Sequence, residues 1–308
     1  MNYLLRMGSM QNYMVNIKRL SFLLFLAVVF LNTSVYAQSS NSYSQYGNSG
    51  KKFTPASKMS RKDWNDPDEL ERVWQASLVR IPTENDENIQ TTIAEITPAP
   101  LKLNKKYPTV VYMHGCSGMW PGTIRRINLL AKNGFAVIAP PSFARWKYPQ
   151  SCDPSQHLGS MYRGVIRIRL NDAGNTIEKA KQLPWVDENN VFLMGFSEGA
   201  ITTAKFYSKN KNRAVNARVV EGWTCNAGWD EYRGVRAPKG EPVLALVGSR
   251  DPWFQNSYNS GECTNFLNKK NGSKSVVYKK GKLSNQHDLL EDERVQKIVI
   301  DFLQQHIK

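Results

Sequence analysis

The stretch Val191-Phe192-Leu193-Met194-Gly195-Phe196-Ser197-Glu198-Gly199-Ala200-Ile201-Thr202-Thr203-Ala204 passes from an apolar strand-like run, through G-x-S-x-G, into a helix-forming segment. The turn between strand and helix is too tight for side chains beside the serine, which is why positions 195 and 199 are glycine. Such a turn holds its serine in a strained backbone conformation and lifts the hydroxyl above the sheet. A helix starting at Glu198 aims its amino end at the same place, where negative charge is favoured. A bare G-x-S-x-G is common and also serves as a structural turn. Its position between strand and helix makes Ser197 the expected nucleophile.

Working outward, strand-like and helix-like segments alternate beyond residue 105. Apolar runs occupy Tyr107 to Met113, Phe135 to Ala139, Val191 to Met194, Ala217 to Val220, Val243 to Val247 and Ser275 to Tyr278. Helical spacing marks Thr123 to Asn133, Tyr162 to Leu183, Glu198 to Ser208 and Glu291 to Ile307. Near-continuous apolar strands alternating with helices predict a mostly parallel central sheet with helices on both faces. In such sheets the chemistry sits on loops leaving the carboxyl ends of the strands.

A serine hydroxyl needs a base and an orienting acid. Of the four histidines, His114, His157, His287 and His306, only the last two follow Ser197. His306 sits in the last turn of the closing helix, so His287, in the polar loop Lys282 to Asp288, is the expected base. Asp251 ends the run Val243-Leu244-Ala245-Leu246-Val247-Gly248-Ser249-Arg250-Asp251 and is the expected acid, with Asp230, Glu231 and Asp288 as competitors. Asp251 before Pro252 is also what a simple turn would use. His114-Gly115-Cys116 follows the first apolar run, so the backbone amides of Cys116 and Glu198 are the expected oxyanion donors. Trp120, Phe143, Trp146 and Trp253 lie on the loops expected to line a substrate pocket, and packing is an equal alternative for each.

At these residues the chain resembles the α/β-hydrolase superfamily, and within it the dienelactone hydrolase family and its exported relatives. The resemblance rests on Val110–Trp120, Pro140–Pro154, Leu183–Gly199, Pro242–Asp251 and the loop around His287, and covers about residues 100 to 308. It implies the α/β-hydrolase fold, an eight-stranded sheet and ester hydrolysis without a cofactor. The namesake enzymes carry cysteine as nucleophile where this chain has Ser197, so a serine carboxylesterase is the expectation rather than dienelactone turnover.

Residues 1–37 hold Lys18 and Arg19, a twelve-residue apolar run Leu20 to Leu31, and Val35-Tyr36-Ala37. Basic, apolar, small is the order of a secretory signal peptide, and the run is too short to span a bilayer. Residues 38–62, rich in Ser, Asn, Tyr, Gly and Lys, are expected to form a flexible tether, with the catalytic domain over 63–308. Export would place the protein in the periplasm or outside the cell. Cys116, Cys152, Cys225 and Cys263 then form two disulfides. Three pairings are possible and sequence alone does not choose among them. Cys116–Cys152 with Cys225–Cys263 is the favoured one, because it ties the oxyanion loop to the next loop and joins the loops flanking the Asp251 strand. The spacings contain no C-x-x-C or H-x-x-x-H, so no metal site is expected.

The formal net charge is +15, and removing the three basic residues of 1–37 leaves about +12. Such charge gives weak attraction to anionic surfaces. The basic residues are scattered in pairs without a nucleic-acid motif, so no nucleic-acid partner is expected. The expected substrate is a small-molecule or polymer-linked ester. A peptidase or amidase with the same triad and a non-catalytic binding protein on a hydrolase scaffold are the alternatives.

Overall fold

The computed structural model describes residues 44–47, 51–83, 88–98, 101 and 103–308. The expected signal peptide, 1–37, lies outside the described residues. Helix α1 (Pro67–Gln75) starts where the Asp66 carboxylate accepts from the amide of Asp68, with Pro67 in the first turn and Asp68 and Glu69 favouring the amino end. Strands β1 (Leu78–Pro82) and β2 (Asn88–Thr92) form an antiparallel pair. Short α2 (Ile93–Ile96) follows, capped reciprocally by Thr92 and Glu95. Then come β3 (Tyr107–Met113), α3 (Pro121–Lys132), β4 (Ala136–Ala139), α4 (Val165–Ala180), β5 (Val186–Phe196), α5 (Glu198–Lys205), β6 (Arg218–Glu221), β7 (Val243–Gly248), β8 (Lys274–Tyr278) and α6 (Glu293–Gln305).

The eight strands make one sheet in the order β2-β1-β4-β3-β5-β6-β7-β8. From β4 to β8 all pairs are parallel, and β1 meets β4 antiparallel. This is the expected fold class. Successive side chains of β3 go to opposite faces: Val110 and Tyr112 join a core with Ile127, Val299 and Leu303 of α3 and α6, whereas Val111 and Met113 join Ala173 and Ile177 of α4. Burial on both faces is why these strands are almost continuously apolar. Burying each large aliphatic or aromatic side chain contributes about 1.5–3 kcal/mol.

Parallel register brings the carboxyl ends of the central strands level: Met113 lies opposite Gly195, Phe196 opposite Glu221, and Glu221 opposite Leu246. His114, Ser197, Gly222 and the loop to Asp251 therefore emerge on one edge.

Within the stretch expected as a tether, the described residues lie against this unit. The Tyr46 carbonyl accepts from the amide of Met119, Gly47 bridges to Gly118, and the Thr54 amide donates to the Tyr148 carbonyl at 2.8 Å. Phe53 packs edge-on against Phe143, and Met59 and Trp64 pack on the same cluster.

Candidate active site

Ser197 sits between β5 and α5 with φ 57° and ψ −119°. This left-handed geometry is costly for a residue with a Cβ and persists only where the surroundings enforce it. They do so here through backbone contact. A Cβ on Gly195 would lie 2.2 Å from the Gly199 carbonyl oxygen, and one on Gly199 would lie 2.0 Å from that of Met113. The Ser197 amide is tied to the Glu221 carbonyl at 2.8 Å, while its own carbonyl accepts from Ala200 and Ile201.

Beside it runs the loop after β3. The Gly118 amide donates to the Gly115 carbonyl at 3.1 Å, closing a turn with Cys116 and Ser117 at its corner. A Cβ added at Gly115 would stand 3.5 Å from that of Ser197, so the two loops are in contact. His114 anchors the turn from beneath. Its Nδ1 lies 2.6 Å from the Gly115 carbonyl oxygen, and its Nε2 accepts from the Ser142 amide at 3.1 Å. That pair of bonds fixes a neutral imidazole with the proton on Nδ1. Complete burial, with the Arg169 guanidinium nearby, holds the His114 pKa well below the ordinary histidine value. Arg169 donates to the carbonyl of His114 and pairs with the Glu198 carboxylate at 2.9 Å, joining both proposed oxyanion loops from inside. The Cys116–Cys152 disulfide ties the turn to the loop after β4.

Asp251, 1% exposed, follows β7. One carboxylate oxygen accepts from the Trp253 amide at 3.0 Å, and the other lies 2.7 Å from Nδ1 of His287. Two of the competing acids are engaged elsewhere: Asp288 pairs with Arg126 and Glu231 with Arg163. The His287 ring packs among Phe196, Trp253 and Phe254, at centroid distances of 4.9, 5.3 and 5.7 Å, with Trp253 stacked. A Cβ on Gly222 would approach its Cε1 to 3.2 Å, so the glycine after β6 admits the ring. With the Nδ1 proton directed at Asp251, Nε2 carries the lone pair. It is buried and without a hydrogen-bond partner among the described residues.

Sequence reading did not single out Glu221. Fully buried at the end of β6, it accepts from the amides of Leu289 and Leu290 at 3.0 Å each and forms a two-pronged pair with Arg126 at 2.6 and 2.8 Å. It thereby fixes the chain just past His287. Its place at a strand end was a signal, but its role depends on contacts 68 and 69 residues away in sequence.

Next to Ser197 opens a cavity of about 110 Å³. Cys116, Cys152, Ser197, Glu198 and Trp253 line it, as do Trp223, Trp229, Tyr232, Phe254 and Tyr258, which sequence reading did not name. Three residues expected in a pocket lie elsewhere. Phe143 is buried against Tyr148 and Phe53 behind the oxyanion loop. Trp120 packs on the α3 side of the sheet. Trp146 is 74% exposed, with the Arg72 guanidinium over its ring. The first part of the loop after β4, which carries Phe143 and Trp146, lies away from the cavity. Its later part, pinned by Cys116–Cys152, brings His157 to Ser160 to the cavity wall opposite the loops after β6 and β7, which Cys225–Cys263 joins. Both disulfides are the favoured pairs.

The family model described as "Dienelactone hydrolase family" matches residues 96–279. No curated protein matches the sequence. Among solved structures, the chain is similar to a protein of Klebsiella pneumoniae subsp. pneumoniae assigned as a dienelactone hydrolase. The TM-score is 0.46 at 15% identity, covering 66% of this chain and 90% of that one. A dienelactone hydrolase-like promiscuous phosphotriesterase from metagenomic libraries gives 0.44 at 17% identity, covering 67% and 89%. A thermophilic esterase from Thermogutta terrifontis gives 0.42 at 15% identity, covering 67% and 84%.

Proposed function

Since the chain belongs to the dienelactone hydrolase family of α/β-hydrolases, we propose that it is an exported serine hydrolase that cleaves carboxylic esters through Ser197, His287 and Asp251. Ser197 Oγ attacks the ester carbonyl carbon as Nε2 of His287 takes the hydroxyl proton. The amides of Cys116 and Glu198 hold the oxyanion. Collapse expels the alcohol, which leaves with the proton from Nε2, and an acyl-enzyme remains. Water then attacks it, giving its proton to Nε2, and the acid departs as Ser197 regains its hydrogen. Asp251 keeps the imidazole in the correct tautomer and stabilises its transient charge.

The observation that carries this reading is the Asp251–His287 pair at 2.7 Å, with Nε2 unpartnered among the described residues and the imidazole packed on Phe196, the residue before strained Ser197. The cavity supports a compact acyl or aryl group, since a space of roughly 150 Å³ lined by apolar side chains accommodates one benzene ring. A panel of esters graded by acyl size, run against matching amides, tests it. Turnover should peak with short acyl chains or single rings and favour esters. Ser197→Ala and His287→Ala should each cost several orders of magnitude in kcat, and the double variant little more, because such groups act as a unit. A folded Ser197→Ala protein with near wild-type turnover, or one still labelled by a fluorophosphonate, would sink the assignment.

A further inference from the structure

The catalytic cavity continues into a basic groove. Ser160 and Trp229 wall both the cavity and a depression of about 660 Å³ that also holds Arg61, Trp64, Arg163 and Arg167. Arg61, Trp64 and Arg167 in turn wall a second depression, of about 630 Å³, reaching Lys205, Tyr207, Arg213 and Arg236. No carboxylate lines this second part, and the single one in the first, Glu231, is paired with Arg163. Glu178 neutralises Arg213, but no carboxylate pairs with Arg61, Arg167 or Arg236 among the described residues. Arg61, Arg167 and Arg236 are exposed. Partial burial together with the charges of Arg236 and Arg167 lowers the Lys205 pKa, against the opposing pull of Asp230 and Glu231.

Aromatic faces are interleaved with these charges. Trp64 is half-buried in the floor, Tyr207 is 43% exposed beneath the Arg236 guanidinium, and Trp229 lies under that of Arg163. Guanidinium forks match carboxylates, and flat rings match the apolar faces of sugars. We infer that this groove binds an acidic polysaccharide, a chain of uronate sugars, and delivers an ester group carried on that polymer to Ser197. The inference rests on the ester-hydrolase reading for its second half only. Polymer binding needs no turnover. A nucleic acid would satisfy the charge, but it does not carry the carboxylic esters that the adjoining site is proposed to cleave.

The test is titration calorimetry with polygalacturonate, using both wild-type protein and Ser197→Ala. Both should bind, with affinity falling as salt rises, while dextran, a neutral polymer, should not bind. Arg167→Glu with Arg236→Glu should weaken binding roughly tenfold or more. A control of equal charge change on the opposite face of the sheet, Lys132→Glu with Lys297→Glu, should weaken it far less. Thermal melting checks that each variant is folded. Equal losses in the two double variants would reduce the attraction to net charge and overturn the groove. So would the absence of binding to polygalacturonate. Single-stranded DNA binding as tightly, with the same sensitivity to Arg167 and Arg236, would overturn the polysaccharide assignment. Polymer binding without hydrolysis of any ester would leave the groove standing and remove the proposed function instead.

Discussion

The neutral state of His114 has a thermodynamic signature. The folded protein keeps this imidazole unprotonated, while in the unfolded chain it protonates near pH 6.5. Below that pH the unfolded state binds the extra proton, so stability present above about 6.5 is lost as pH falls towards the folded-state value. Once the unfolded histidine is protonated, the slope from this one group approaches about 1.4 kcal/mol per pH unit. Urea unfolding between pH 7 and 5 checks this. His114→Gln should be less stable at pH 7, by about 1–3 kcal/mol for the bonds lost, and should show a shallower pH slope; equal slopes would contradict the assignment. Among single residues, Ser197, Asp251 and His287 were legible because each ends an apolar strand or sits in a loop where chemistry is expected, and their chain order limits the choices. His114 was read only as part of a loop. Its tautomer depends on the amide of Ser142 and on Arg169, partners that no local pattern announces.

At the scale of elements, β6 ends in a residue that holds the start of the last helical segment in place. Glu221→Gln should leave Arg126, whose side chain is 3% exposed, without its main counter-charge. Breaking a buried pair of this kind typically costs about 3–5 kcal/mol, and the loss should appear in the denaturation midpoint. The rate should fall too, because His287 precedes the Leu289 and Leu290 amides that Glu221 holds. Arg126→Met in the Glu221→Gln background should recover part of the stability by removing a buried charge left with half-buried Asp288 as its partner, yet not the rate. Joint recovery of both would contradict the positioning role. The sheet core was legible at this scale, with the apolar run over Tyr107–Met113 coinciding with β3. Strands β1 and β2 were not: Leu78–Pro82 carries an arginine and ends in proline, and Asn88–Thr92 has one apolar residue. The pairing of β1 with β4, and of β2 with β1, is a tertiary effect. Asp66-Pro67-Asp68-Glu69 is a helix start signal in the sequence, and α1 follows it.

For the whole molecule, two disulfides with sequence separations of 36 and 38 flank the cavity. Chain-entropy arguments assign each about 4 kcal/mol. Mild reduction should therefore lower the melting temperature by many degrees. Replacing Cys116 and Cys152 together by serine should also depress kcat, since the turn bearing one proposed oxyanion amide loses its tie. Unchanged activity in that variant would remove the disulfide from any role in positioning. The substrate cavity was the least legible part of the chain. Its aromatic walls come from the segments around Trp223–Tyr232 and Trp253–Tyr258, whose course is set by Cys225–Cys263 and by packing against β6 and β7. Export remains a proposal from the sequence: the mature chain should begin at or near Gln38, and intact mass of the secreted protein decides it.

The stacking of Trp253 on His287 makes the site visible to light. Of the eight tryptophans in the chain, Trp253 lies flat against the proposed base and also walls the cavity. Its emission should therefore respond when an acyl group occupies Ser197, and subtracting the spectrum of a Trp253→Phe protein would isolate that signal. Stopped-flow fluorescence could then time acylation and deacylation separately on unlabelled esters, with no chromogenic leaving group required.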